Sequence, residues 1–224
     1  MLRLSAGSRP VPGLATTVAF AFALAAAAAI LLPAPAAAQE GPEATQKFLK
    51  TIENATRSIR DAQDQVQKTV DVYNSIINMT AKDTKDAYKD LGKQVAECDK
   101  KVTNISPKVD EMNAEAATYF AGRKAATASI SDPDLRKRGD QRLADSQAQL
   151  AKIAAAGRDT RQTFEGMMTE IKDQSAFLGH DLNPTAIAGL KNDAVKLNDH
   201  AKTTLSKIDA VAKMYDEYVS SMRP

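Results

Sequence analysis

This chain of 224 residues has very little of what reactive or metal-binding proteins need: one cysteine, two histidines and no tryptophan. A single thiol closes no internal disulfide, so Cys98 is either a small apolar core residue or half of an intermolecular link. Burial is the favoured reading, because Cys98 falls on an apolar seam. His180 and His200 come without Cys-x-x-Cys, His-x-x-x-His or Glu-x-x-His spacing. On a helical path they stand roughly 25–30 Å apart, too far to share one metal. No cofactor signature accompanies them, and no Ser, Cys or Thr is set beside a base that would activate it. The expectation is a protein that is not an enzyme, with no metal and no cofactor.

Charge imbalance is also missing once the N-terminal stretch is set aside. The chain holds 30 Lys and Arg against 28 Asp and Glu; Arg3 and Arg9 are the only charged residues among the first 38, so 28 of each sign remain beyond them. Interspersed charge that cancels argues against nucleic acid, whose binders cluster cations to meet phosphate. The one long hydrophobic run is Gly13 to Leu32. It lies between Arg3 and Arg9 and the small-residue pattern Ala36-Ala37-Ala38, which reads as an export signal over residues 1–38. The alternative is a retained anchor, since the run is long enough to span a bilayer. With the signal cleaved there is no transmembrane span, residues 39–224 form a single helical domain, and the location is periplasmic or secreted. No cysteine adjoins the cleavage site, so a lipid anchor is not expected there.

What the rest of the chain does contain is helical periodicity. Apolar or small residues at Phe48, Ile52, Ala55, Ile59, Ala62, Val66, Val70, Tyr73 and Ile77 recur in steps of three and four, which makes one buried stripe. Gly41-Pro42-Glu43 reads as its start. The pattern turns polar at Met79 to Asp83, where Thr80 and Asp83 resemble a capping box. Two readings stay open here, a tight reversal or a continuous helix, because the seam resumes without loss of phase through Ala87, Leu91, Val95, Cys98, Val102 and Ile105. Pro107 should kink the second rod, and the stripe continues through Val109, Met112, Ala116 and Tyr119. Ser131-Asp132-Pro133-Asp134 is a strong helix start. A third seam follows through Leu143, Gln147, Leu150, Ala154, Gly157, Arg161, Phe164, Met168, Ile171, Ser175 and Leu178. Gly179 suits a left-handed residue past the helix end, with Asn183 as the next cap and Pro184 in the first turn. The fourth seam runs from Ile187 to Met222.

Thin seams bury little unless they face one another. The expected fold is therefore all-α: an elongated antiparallel four-helix bundle, or coiled coil, with helices near 43–79, 83–129, 133–178 and 184–222. The two inner helices are the longer pair, so the helix 2–helix 3 hairpin should protrude by about 10–15 Å at the end holding both termini.

Phe177-Leu178-Gly179-His180-Asp181-Leu182-Asn183-Pro184-Thr185-Ala186-Ile187-Ala188-Gly189-Leu190 is similar to a pattern Phe-Leu-x-His-x-Leu-Asn-x-x-Ala-Ile-x-x-Leu. Leu135-Arg136-Lys137-Arg138-Gly139-Asp140-Gln141-Arg142-Leu143 looks like the basic start of a third helix in the same group. Through these marks the chain resembles a bacterial family of exported coiled-coil proteins known only as a domain of unknown function. Gly179 stands where that family usually has a basic residue, and a glycine-rich turn expected near Thr80 is missing. The resemblance implies export and a helical fold; it supplies no activity, ligand or catalytic residue.

The residues that could bind a partner are Arg123, Lys124, Arg136, Lys137, Arg138 and Arg142 at the protruding hairpin, with Phe120, Ile130 and Leu135 between them. Such a tip suits an anionic envelope surface or an acidic envelope protein. Asp132, Asp134 and Asp140 offset half of that charge, so a solvated helix end is the plain alternative. The functional expectation is a structural or adaptor protein of the bacterial cell envelope acting through coiled-coil surfaces, with a lipid- or amphiphile-binding bundle as the alternative. Long seams also permit homo-oligomers.

Overall fold

The computed structural model describes residues 42–223. The expected export signal over residues 1–38 lies outside the described residues. Six helices make up four rods: α1 (Pro42–Ile77), α2 (Thr84–Thr103) with α3 (Ile105–Ala128), α4 (Pro133–His180), and α5 (Pro184–Gly189) with α6 (Lys191–Met222). The rods follow one another around a square, each packed on its neighbours in sequence and α6 closing back on α1. Their pairings are antiparallel: Phe48 of α1 stacks on Tyr119 of α3, and Ser146 of α4 shares a hydrogen bond with Tyr218 of α6. The fold is the expected all-α bundle. No helix among the described residues is long and apolar enough to cross a membrane.

The first turn is a reversal. α1 ends because Met79 takes a left-handed conformation, with φ 55°, while its N–H bonds the carbonyl of Ile76 and the N–H of Thr80 bonds that of Ser75. That is the geometry by which helix-end carbonyls are satisfied past a C-terminus. Asp83 then caps α2 by accepting from the N–H of Asp86 at 2.9 Å, so the cap is Asp83 itself and Thr80 takes no part in it. Pro107 acts earlier than its own position. Lacking an N–H, it cannot bond Thr103, and the second rod breaks at Asn104 into α2 and α3 without changing direction. The other interior break, at Leu190, likewise leaves its rod running on.

The second reversal follows its sequence closely. Asp132 caps α4 by accepting from Asp134 and Leu135, and Pro133 occupies the first position, where its missing N–H has no helical partner to lose. At the third reversal Asn183 caps α5 through the N–H of Ala186 at 2.9 Å. The expectation for Gly179 fails there: α4 runs through to His180, and no glycine among the described residues has positive φ. Gly179 is instead small because the Tyr88 hydroxyl of α2 occupies the space a Cβ would need.

The core holds every seam residue expected on α1 from Phe48 to Ile77. On α4 the register drifts: Gln147 is exposed, and Ser146, Ile153 and Met167 turn inward with Leu150, Phe164 and Ile171. An unbroken helix of 48 residues rotates its stripe against any three-four count, which moves the inner face by one residue over several turns.

Candidate functional site

Two features stand out from the regular packing. The first is the hairpin formed by the end of α3 and the start of α4. The aromatic group of Phe48, Tyr119, Phe120 and Tyr218 closes the four-rod core at this end. Beyond it the α4 arm from Ser146 back to Pro133 extends about 20 Å, against about 6 Å for α6 beyond Tyr218. The hairpin therefore overhangs as a two-helix tip. Its arms meet where Gly139 faces Thr127: a Cβ on Gly139 would come within 2.7 Å of the Thr127 methyl.

The structure sorts the expected tip residues into three groups. Arg123, Lys124, Lys137, Arg138 and Arg142 are exposed, and none of them forms an ion pair among the described residues. Arg136 is exposed but committed: its guanidinium donates twice to the carbonyl of Ile130, at 2.9 and 2.7 Å, and so holds the turn together. Phe120 is a correction to the sequence reading. It is buried, edge-on to Phe48 and Tyr119, because a ring at the end of the four-rod core gains more from aromatic packing than from facing water. The apolar side chain left among the tip cations is Leu135, 47% exposed.

In the body of the bundle some cations are neutralised by a neighbouring rod, while others, among them Lys50, Arg57, Lys68 and Arg158, form no ion pair among the described residues. The neutralised ones cross between rods to carboxylates: Lys47 to Glu115 and Lys172 to Asp99. Lys207 reaches Asp159, and Arg60 pairs with Asp216. At the tip Asp132 faces backbone N–H groups instead, and Asp145 accepts from Gln141. Six cations and three aspartates between residues 121 and 142 leave the tip positive while the charges of residues 39–224 cancel.

The second feature was not read from the sequence. A cavity of about 110 Å³ opens beside the break at Asn104, lined from every rod by side chains that include Ile59, Val109, Phe164 and Val211. No residue between Cys98 and Val109 on the second rod, or between Ile153 and Phe164 on α4, is fully buried. Gly157, Arg158 and Arg161 stand on the α4 side, and Arg161 bonds Glu165 at 2.7 Å. The signal available in the sequence was the pairing of a seam glycine, Gly157, with a proline-broken rod opposite it.

The remaining candidates are accounted for by packing. Cys98 is fully buried, and desolvation, with Asp99 beside it, pushes its thiol up to about 12. His200 bonds Glu170 at 2.8 Å on the surface, and His180 is exposed at the end of α4. Among the described residues no three His, Cys, Asp or Glu side chains are grouped so as to hold a metal ion.

With this geometry in hand, comparison with known proteins gives one match: a family model described as a protein of unknown function, DUF2959, covers residues 36–222. The chain belongs to the DUF2959 family. No curated protein and no solved structure matches it. Membership in DUF2959 agrees with the resemblance drawn from the residues around Leu135–Leu143 and Phe177–Leu190, and it names no activity.

Proposed function

We propose that this DUF2959 protein is a non-enzymatic structural or adaptor protein of the bacterial cell envelope, exported to the periplasm or beyond, that docks on an anionic surface through its hairpin tip. The observation that carries the reading is the set of five exposed tip cations without a carboxylate partner, gathered on one overhanging hairpin that holds three aspartates between residues 121 and 142. A two-helix arm carries those charges clear of the bundle, and Leu135 supplies an apolar contact among them. Export is supported by the pattern running from Arg3 to Ala38. A protein without catalysis is supported by the burial of its one thiol.

Co-sedimentation with vesicles tests this directly. The protein should bind phosphatidylglycerol-containing vesicles and ignore purely zwitterionic ones, with binding that weakens as salt rises. A basic residue near such a surface contributes about 1 kcal/mol. The combined change Lys137→Ser, Arg138→Ser, Arg142→Ser should then weaken binding by about two orders of magnitude. Unchanged binding in that variant would remove the tip from the function.

A further inference from the structure

The cavity beside Asn104 has properties that ordinary core packing does not require. At about 110 Å³ it approaches the cavity of roughly 150 Å³ that admits a benzene ring in a well-packed protein. Its lining runs along α4 from Ala154 to Phe164 and is mostly apolar. A slot that runs along a helix suits a flexible chain better than a ring. A Cβ on Gly157 would meet no atom within 4 Å, so a larger side chain there has room to enter the slot.

Of the polar residues that line the slot, which include Ser106, Asn113, Thr160 and Arg161, two have donors without a partner among the described residues that suit a carboxylate. Tyr215 lines it, is 4% exposed, and has no hydrogen-bond partner for its hydroxyl among the described residues. That hydroxyl keeps contact with solvent, since the fully buried polar side-chain atom without a partner among the described residues is Thr204 Oγ1, and it is free to donate to an acceptor bound in the slot. Burial also pushes that hydroxyl up to about 12, so it remains a donor throughout the neutral range. Arg158 stands exposed at the rim and forms no ion pair among the described residues, which gives the opening a cation.

We propose that this slot binds the alkyl tail of a single-chain carboxylate, with the tail along Ile105, Val109 and Phe164 and the carboxylate served by the Tyr215 hydroxyl and the Arg158 guanidinium. A tail of about six carbons matches the space, and longer chains would leave their remainder at the opening. The site lies in the body of the bundle, away from the cationic tip, and stands independently of the role assigned there.

Titration calorimetry with hexanoate and with hexanol tests the proposal on the full chain. Both should bind, and hexanoate more tightly. Gly157→Leu should fill the slot and weaken both by at least about tenfold while circular dichroism shows the bundle intact. If that variant fails to fold, Ala154→Met occupies the same slot and is read the same way. Tyr215→Phe should weaken hexanoate about tenfold, and Arg158→Gln about threefold, with hexanol changed less than either. Failure of the unaltered protein to bind either probe at millimolar concentration overturns the site. So does binding that survives a folded slot-filling variant. Hexanoate binding indifferent to both Tyr215→Phe and Arg158→Gln overturns the carboxylate assignment.

Discussion

Met79 holds the first reversal in a backbone conformation that a side chain resists. The left-handed region costs an L-residue about 1 kcal/mol or more, and glycine pays little of it. Met79→Gly should therefore raise stability by about 1 kcal/mol, measured as a higher urea midpoint with an unchanged slope. Four buried acids of another kind set the response to alkali, and Tyr73 among them is raised furthest, by desolvation and then by Asp193. Cys98, Tyr215 and Tyr218 each sit at about 12, against ordinary values of 9.0 for the thiol and 10.0 for the phenols, chiefly through desolvation. Because the unfolded chain releases these protons first, the stability they contribute is complete below about pH 9 and is lost as pH rises toward 12. The urea midpoint should fall between pH 8 and pH 10.5, and Cys98→Ala should reduce that fall. Thiol reagents should label Cys98 at pH 8 only once urea has opened the bundle.

Helices and turns show which parts of the fold could be read in advance. Side-chain caps were legible, because Asp132-Pro133 and Asn183-Pro184 act through their own immediate neighbours. So was the stripe of α1. Details set by a distant partner were not: Gly179 answers to Tyr88, more than ninety residues earlier in sequence, and Phe120 is buried by Phe48. The tip was legible as a cluster of charge, yet Arg136 could be separated from its neighbours only when the carbonyl of Ile130 came into view. The cavity could not be read from the seams alone, since it depends on how α3 sits against α4. Gly139 illustrates the same dependence with a testable consequence. Alanine is the better helix former, but its Cβ would press on the Thr127 methyl, so Gly139→Ala should lower stability by about 1 kcal/mol and speed hydrogen exchange in the hairpin. Thr127→Ser removes the offending methyl and should restore most of that loss in the double variant. A Gly139→Ala hairpin as slow to exchange as the original would mean that the arms do not close on one another.

At the scale of the whole molecule, long apolar seams favour antiparallel packing but do not fix how far each rod slides along its neighbour. A short polar stretch of α1 supplies that alignment. Within Gln65 to Asn74, side-chain hydrogen bonds reach each of the other three rods. Gln65 bonds Gln94 of α2 at 2.8 Å, Tyr73 donates to Gln174 of α4, and Asn74 and Asn198 of α6 exchange bonds at 2.8 and 3.0 Å. A slip by one turn would strand these amides against apolar neighbours, where an unpaired polar group costs about 1–3 kcal/mol. Polar pairs in a helical seam can in this way select one register at the expense of raw stability. Asn74→Leu alone should destabilise the bundle by roughly 1–2 kcal/mol, because the Asn198 amide keeps its place and loses its partner. Asn74→Leu with Asn198→Leu should recover that loss or exceed it, since two leucines pack where two amides were satisfied only by each other. The double variant should nonetheless be the less uniquely folded protein. Sedimentation velocity should reveal additional oligomers, and amide spectra should broaden along α1 and α6. A double variant with wild-type stability, one sedimenting species and sharp spectra would show that the apolar seams set the alignment without the asparagine pair.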